Sequence, residues 1–144
     1  MTPILYSTGN KYQLLETYSI TLPVTGIEAF THFLELRSDG RLTITKGYCW
    51  DGPSYPGERD APNFRRASLV HDSLYELMRG RHLDYRTHRL MADDLMRSLC
   101  LEDGMETGEA DFAYRMVRKF GEINAMPLDE RPVVPVWPDI QPGE

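Results

Sequence analysis

Residues 63–79 read NFRRASLVHDSLYELMR, and this stretch decides how the second half of the chain folds. Its apolar residues recur at the spacing of one face of a helix. Pro62 suits the first helical turn, and Gly80 suits the position just after the last turn. We therefore predict a helix from about Pro62 to Met78. The residues predicted to be buried are Leu69, Tyr75 and Met78.

Two further helices are predicted after this one. The second runs from about Tyr85 to Leu101 and begins after Asp84, a residue type that caps helix N-termini. The third begins near Gly108 and ends near Gly121, with apolar residues at helical spacing. The residues predicted to face the core are Leu90, Leu95, Leu99, Phe112, Met116 and Phe120.

The first half of the chain has the period-two alternation of β-strands. Residues 17–22 alternate β-branched and apolar types. We interpret Phe33–Leu36 and Leu42–Thr45 as the arms of a hairpin, because Gly40 between them can adopt the positive φ of a tight turn. The first half is therefore predicted to form an antiparallel sheet.

A long segment rich in Gly, Pro, Asp and aromatic residues separates the strands from the helices. Its length is unusual for a simple connection, and its aromatic residues indicate an ordered loop that packs on the domain. The last part of the chain is rich in proline and is predicted to be extended. The prediction is thus one α+β domain with a tail. Its parts are a domain over 1–125, strands over about 12–46, a loop over 47–61, helices over about 62–121, and a tail over 126–144.

Composition narrows the classes of function. The chain has 144 residues and a net charge of -6, from 16 basic and 22 acidic residues. This balance argues against a protein whose main task is to bind nucleic acid or an anionic membrane. The sequence has no apolar run of the roughly 20 residues that cross a bilayer, and its start does not resemble a signal peptide. Cys49 and Cys100 are too few for a disulfide scaffold or a zinc knuckle, and a single bridge between them stays open.

The helix at residues 63–79 also carries the best candidates for chemistry. His71 and Tyr75 are four residues apart and lie on one face, whereas Asp72 lies about 100° further round the helix. Histidine is the usual general base near neutral pH, and a carboxylate can orient its ring. Asp93 and Asp94 on the second helix are neighbours, and only one of them can face the first helix squarely.

The pattern H-D-x-x-Y after a glycine-containing loop resembles the active-site helix of the phospholipases A2. The resemblance implies that His71 activates a water molecule, that Asp93 on the antiparallel helix binds His71, and that Tyr75 supports this network. It further implies that Asp72 binds calcium, together with oxygen ligands of the preceding loop. The remaining residues of this implied calcium site are Trp50 and Gly52.

This sequence departs from the phospholipase pattern in two ways. Of the calcium-loop glycines only Gly52 and Gly57 are present, and the cysteines that flank the helix in that family are missing. Within the same segment, Asp51 and Ser54 are either ligands or ordinary turn residues.

A longer set of motifs is similar to an uncharacterised family of short phage and prophage proteins. The motifs are G-Y-x-W-D-G-P-S, N-F-x-R-A-S-L-V-H-D-x-L-Y-x-L-M-R, R-x-x-A-D and L-E-D-G-M, and they span roughly residues 47–121. This resemblance implies a phage origin but no established activity. The chain would then act in the host cytoplasm or in the virion.

Other residues allow a functional and a structural interpretation. Arg65 and Arg66, with Arg89 nearby, are candidates for binding a phosphate or an acidic partner, but the sequence favours a surface salt-bridge pair. His82 and His88 lack the spacing of a transition-metal site.

Two hypotheses of different class therefore stand. In the first, the protein is a structural or accessory virion protein of the tail or head, and its proline-rich tail contacts other virion subunits. In the second, it is a calcium-dependent ester hydrolase, with His71 as the base and a lipid as substrate. The enzyme requires an open cleft at His71. The virion protein requires His71 to be enclosed by the loop over residues 47–63 and an apolar patch to be exposed elsewhere.

Overall fold

The computed structural model describes residues 6–7, 12–51 and 61–132, and it confirms the mixed α+β class. Antiparallel strands come first, and helices follow. The strands are β1 (Tyr6–Ser7), β2 (Tyr12–Leu14), β3 (Tyr18–Thr21), β4 (Ala29–Phe30), β5 (Leu34–Leu36), β6 (Arg41–Ile44) and β7 (Cys49–Trp50). The helices are α1 (Pro62–Arg79), α2 (Tyr85–Glu102), α3 (Thr107–Phe120) and α4 (Glu122–Ala125), followed by a 3-10 turn at Leu128–Glu130.

The strands form two antiparallel sheets, one in the order β1-β2-β7 and one in the order β3-β6-β5-β4. The predicted hairpin is β5 and β6, in which Leu36 lies opposite Leu42. Gly40 in its turn has a φ of +95°, and a Cβ at that position would lie 2.7 Å from the carbonyl oxygens of Leu22 and Val24. Both the positive φ and the close approach therefore require glycine there.

Strand β7 lies inside the segment that was predicted to be a loop. Its residues pair with Tyr12 and Gln13 of β2, so the first sheet includes chain from both sides of the hairpin. The buried Trp50 donates a hydrogen bond from Nε1 to Oγ of Ser68, 3.0 Å away. This bond ties the first sheet to α1. The loop prediction was wrong for Cys49–Trp50, and residues 52–60 lie outside the described residues.

Helices α1 and α2 match the predicted boundaries within a residue or two. The Asp84 side chain accepts a hydrogen bond from the backbone N–H of Arg86, as expected of an N-cap. His71 contacts Asp93, whereas Tyr75, one turn later in α1, contacts Arg89, one turn earlier in α2. The two helices therefore run antiparallel.

The predicted core was wrong in α2 for Leu90 and in α3 for the two phenylalanines. Leu90 is 51% exposed, because α2 turns Ala92, Asp93 and Met96 inward instead. Phe112 and Phe120 are exposed as well. The buried side of α3 consists of Ala110, Ala113 and Val117. Small side chains on this face let α3 approach its neighbours closely, which the larger phenylalanines would prevent.

The described start of the predicted tail is only partly extended. Met126 and Arg131 have extended backbones, but the 3-10 turn lies between them, and residues 133–144 are outside the described part.

Both cysteines are free thiols, so the disulfide left open by the sequence does not form. In the described ranges no helix has the length and apolar character needed to traverse a bilayer.

Candidate functional site

A buried histidine–carboxylate pair joins α1 to α2. Nε2 of His71 lies 2.7 Å from Oδ1 of Asp93, whose side chain is completely buried. A carboxylate only accepts hydrogen bonds, so we assign the ring proton to Nε2 and leave a lone pair on Nδ1. His71 is 8% exposed, and in the described part of the chain its Nδ1 has no hydrogen-bond partner.

Asp93 receives further hydrogen bonds on both oxygens. The Tyr75 hydroxyl donates to Oδ1 over 2.6 Å, and Nη1 of Arg118 donates to Oδ2 over 2.8 Å. Burial by itself raises the pKa of Asp93, but the hydrogen bond and charge of His71, with the Tyr75 and Arg118 hydrogen bonds, hold it below its usual value. Asp93 is therefore ionised at neutral pH.

Arg89 connects this network to the end of α3 by hydrogen bonds. Its Nε donates to the Tyr75 hydroxyl, 3.2 Å away, and its Nη2 donates to the carbonyl oxygens of Val117 and Arg118 over 2.8 and 2.6 Å. Arg89 also lies four residues before Asp93 on α2, with Nε 3.8 Å from Oδ2. The i,i+4 spacing was a sequence signal for this contact. Arg118 had no such signal, because it belongs to a different helix.

Gly121, at the junction of α3 and α4, allows the Tyr75 hydroxyl to reach this position. A Cβ on Gly121 would lie 3.0 Å from that hydroxyl and 2.5 Å from the carbonyl oxygen of Val117. Burial raises the pKa of Tyr75, and the negative charge of Asp93 adds to the shift. Tyr75 is therefore a neutral hydrogen-bond donor to Asp93.

His71 lines a cavity of about 430 Å³. This volume lies within the range of small-molecule sites. The apolar lining of the cavity includes Phe64, Met96, Met116, Val117 and Phe120. Its polar lining includes Tyr48, Asp51, Asp72, Glu76 and Arg79. His71 therefore lines a cavity that has both apolar and charged groups in its lining.

Asp72 lines the same cavity and is half-buried. Burial raises the pKa of Asp72 to about 7, and the negative charges of Asp51 and Glu76 act in the same direction. The charge of Arg79 and a hydrogen bond from the backbone N–H of Asp51 oppose the shift. Asp72 therefore exchanges a proton near neutral pH.

The described residues around Asp72 include only part of the predicted calcium site, because residues 52–60 of its loop lie outside them. The carboxylate accepts an N–H from Asp51, whereas calcium prefers a shell of six to eight oxygens. The Trp50 side chain is buried against Ser68, and Gly52 lies outside the described residues. Within the described ranges, no group of three or more His, Cys, Asp or Glu is placed to hold a metal ion. Calcium at Asp72 stays a prediction, and we derive no step through it.

The remaining predicted residues, apart from Asp51, lie away from the cavity lining or outside the described chain. Arg66 forms a two-bond salt bridge with Asp103, at 2.9 and 3.0 Å, but it is buried, whereas the sequence predicted a surface pair. His82 is exposed, and His88 contacts the backbone oxygen of Asp84. Asp51 is exposed at the cavity, and Ser54 lies outside the described residues.

The described geometry can support acid–base chemistry at Nδ1 of His71. The ring is oriented by a buried, ionised Asp93, and the free nitrogen belongs to a residue that lines a cavity. Asp94, the neighbour that periodicity could not distinguish from Asp93, is exposed.

The roles of these residues and the phage resemblance stay predictions. Comparison of this chain with protein-family models, with curated proteins and with solved structures finds no match.

Proposed function

We propose that this protein is a hydrolase that cleaves carboxylic esters with water activated by His71. The observation that carries the proposal is the pair of His71 nitrogens. Nε2 is hydrogen-bonded to the buried Asp93 over 2.7 Å. Nδ1 has no hydrogen-bond partner among the described residues, and His71 lines a cavity. A general base needs this combination of a fixed ring and an accessible lone pair.

In the proposed reaction, Nδ1 of His71 removes one proton from a water molecule while the water oxygen bonds to the ester carbonyl carbon. The carbonyl π electrons move to the oxygen and form a tetrahedral intermediate. When this intermediate collapses, the bond to the alkoxide breaks, and the proton on Nδ1 passes to the departing oxygen. The products are one carboxylic acid and one alcohol, and His71 returns to its neutral form.

Asp93 is a positioning residue in this scheme. It fixes the Nε2–H tautomer of His71 and stabilises the imidazolium that forms when Nδ1 takes the proton. Tyr75 and Arg118 hold the Asp93 carboxylate in place from two other helical positions. Because Arg118 already compensates much of the Asp93 charge, orientation of the ring is the larger part of the effect.

The test is hydrolysis by purified protein of 4-nitrophenyl butyrate and of phospholipid in mixed micelles, each with calcium and with chelator. His71→Gln should reduce the rate by about a hundredfold or more, as is typical when a general base is lost. His82→Gln is the matched control, since His82 is exposed and does not line the cavity. Thermal unfolding of both variants checks that they fold.

Equal rates for wild type and His71→Gln would contradict the proposal, as would the absence of hydrolysis from a folded sample under every condition. Hydrolysis that survives chelator would remove calcium from the scheme. A strict calcium requirement would restore the predicted role of Asp72 as its ligand.

As a second candidate, we propose an accessory virion protein of the tail or head. The observation that favours it is a set of large apolar side chains that are exposed on α3, α4 and the 3-10 turn. Large exposed apolar groups are typical of protein contacts when they form one patch. These residues are Phe112, Phe120, Ile123 and Leu128. Mass spectrometry of purified particles would test this candidate, and absence of the chain from them would contradict it.

A further inference from the structure

We propose that the cavity at His71 binds amphiphiles with one apolar chain and a positively charged head, and that its substrates are esters of this kind. That the substrates are such esters rests on the proposed hydrolase function. The head group would face Asp51, Asp72 and Glu76, and the apolar chain would lie along Met96, Met116 and Phe120.

The charge of the polar lining favours a cation. Three carboxyl groups and one guanidinium line the cavity, and Asp51 and Glu76 outnumber Arg79 even where Asp72 is protonated. Arg79 donates from Nη1 to the backbone oxygen of Asn124, 2.8 Å away, and in the described ranges it forms no ion pair within 4.0 Å with any of the three carboxylates. A positive ligand group would supply the missing counter-charge, whereas an anionic head would meet net repulsion, which the chain's charge of -6 increases.

A second feature of the cavity indicates a ligand independently of the carboxylates. His71 is more than nine-tenths buried, yet its Nδ1 has no hydrogen-bond partner in the described part of the chain. Among the described residues, the buried side-chain atom that lacks a partner is Oδ1 of Asn63, so Nδ1 of His71 keeps contact with solvent. A water molecule or a polar ligand group can therefore reach Nδ1, in a side chain that lines the same cavity as the carboxylates.

The size and the remaining lining agree with a single chain. About 430 Å³ lies at the lower end of the range for small-molecule sites, which suits one chain and a compact head group. Tyr48 lines the cavity beside Glu76, and aromatic side chains attract quaternary ammonium groups. Tyr48 also donates a long hydrogen bond of 3.5 Å to Glu76.

The first test measures binding and does not depend on catalysis. Decyltrimethylammonium and decyl sulfate, both below their micelle concentrations and in chelator, are titrated into the full chain by calorimetry. We expect the cation to bind about tenfold tighter than the anion, the scale of a few partly exposed charge contacts. Equal binding, or tighter binding of decyl sulfate, would overturn the inference.

Substitutions then locate the head group. Glu76→Gln and Asp51→Asn should each weaken binding of decyltrimethylammonium by about threefold, since each removes one partly exposed charge. Asp51 is exposed, so its variant tests the inference even where Glu76→Gln disturbs the fold. Glu109→Gln, which removes an exposed carboxylate outside the cavity lining, is the control. Equal affinity in wild type and both cavity variants would overturn the inference.

A pair of esters separates this inference from the proposed function. Decanoylcholine and 3,3-dimethylbutyl decanoate have nearly the same shape, but only the first is charged. A preference for decanoylcholine that decreases in Asp51→Asn would support both proposals. Hydrolysis of both esters at equal rates would overturn the ligand class and leave the hydrolase standing. Cation-selective binding without hydrolysis of either ester would overturn the hydrolase and leave the ligand class standing.

Discussion

Two buried polar groups on α1 invite comparison, because His71 and Arg66 are five residues apart and each is 8% exposed. Arg66 uses all three of its nitrogens, with Nε and Nη2 on Asp103 and Nη1 on the Tyr18 hydroxyl. His71 uses only Nε2, and its other nitrogen belongs to a side chain that lines a cavity. Both side chains are therefore buried and paired with a carboxylate. His71 differs from Arg66 in having a nitrogen without a hydrogen-bond partner and in lining a cavity, and this difference marks it as the candidate site.

The largest expected effect is on the His71 side of this comparison. Asp93→Ala should lower the free energy of unfolding by about 3 kcal/mol or more, because it leaves His71, the Tyr75 hydroxyl and Arg118 without their shared acceptor. Urea denaturation at pH 7 measures it. Asp93→Asn keeps the volume and one acceptor oxygen, and should cost less. A loss under 1 kcal/mol in Asp93→Ala would show that the network contributes little.

A smaller loss is expected on the Arg66 side. Arg66→Met keeps an apolar side chain of similar length but removes both bonds to Asp103, and we expect a loss of about 2 kcal/mol because Asp103 retains some contact with solvent. The same urea experiment measures it. Ester hydrolysis should stay at the wild-type rate, since Arg66 does not line the cavity. A parallel loss of hydrolysis in the folded variant would mean that the two networks are coupled.

Gly121 tests how tightly the His71 network is packed. Gly121→Ala should cost about 1 to 2 kcal/mol, because its Cβ would meet the Val117 carbonyl and the Tyr75 hydroxyl. Gly108→Ala is the matched control, since a Cβ there meets nothing within 4 Å. Thermal unfolding of the two variants compares them. Equal stability of both would indicate that the junction of α3 and α4 relaxes easily.

The smallest expected effect is a gain in stability that depends on pH. Burial raises the pKa of Asp72 to about 7 in the folded protein, above its ordinary value of 3.8, so between these values the folded state binds more protons than the unfolded state. Stability contributed by Asp72 therefore falls as pH rises through this window. The full shift would correspond to roughly 4 kcal/mol at pH 8. Because Asp72 is only half-buried, solvent screening reduces this, and Asp72→Asn should stabilise the protein by about 1 kcal/mol at pH 8 and by nothing below pH 4. Urea denaturation at both values measures it, and a variant less stable than wild type at pH 8 would contradict the assignment.

Part of the site could be predicted from local sequence. The four-residue spacing places His71 and Tyr75 on one face of α1, and both reach Asp93. Periodicity did not distinguish Asp93 from Asp94, because consecutive residues both lie within reach of a facing helix, and the phospholipase resemblance suggested the choice. Arg118 was not predicted, because its contact with Asp93 depends on where α3 packs.

The sequence by itself determined the elements whose signals are local. Pro62, Asp84 and Gly40 carry the conformational preferences that start α1, cap α2 and turn the hairpin, so these boundaries needed no tertiary information. The tertiary structure alone decided which side of α3 is buried and that Cys49–Trp50 joins a sheet. The physical reason is that helix caps and turns are set by neighbours in the chain, whereas burial and strand pairing depend on partners that are distant in sequence.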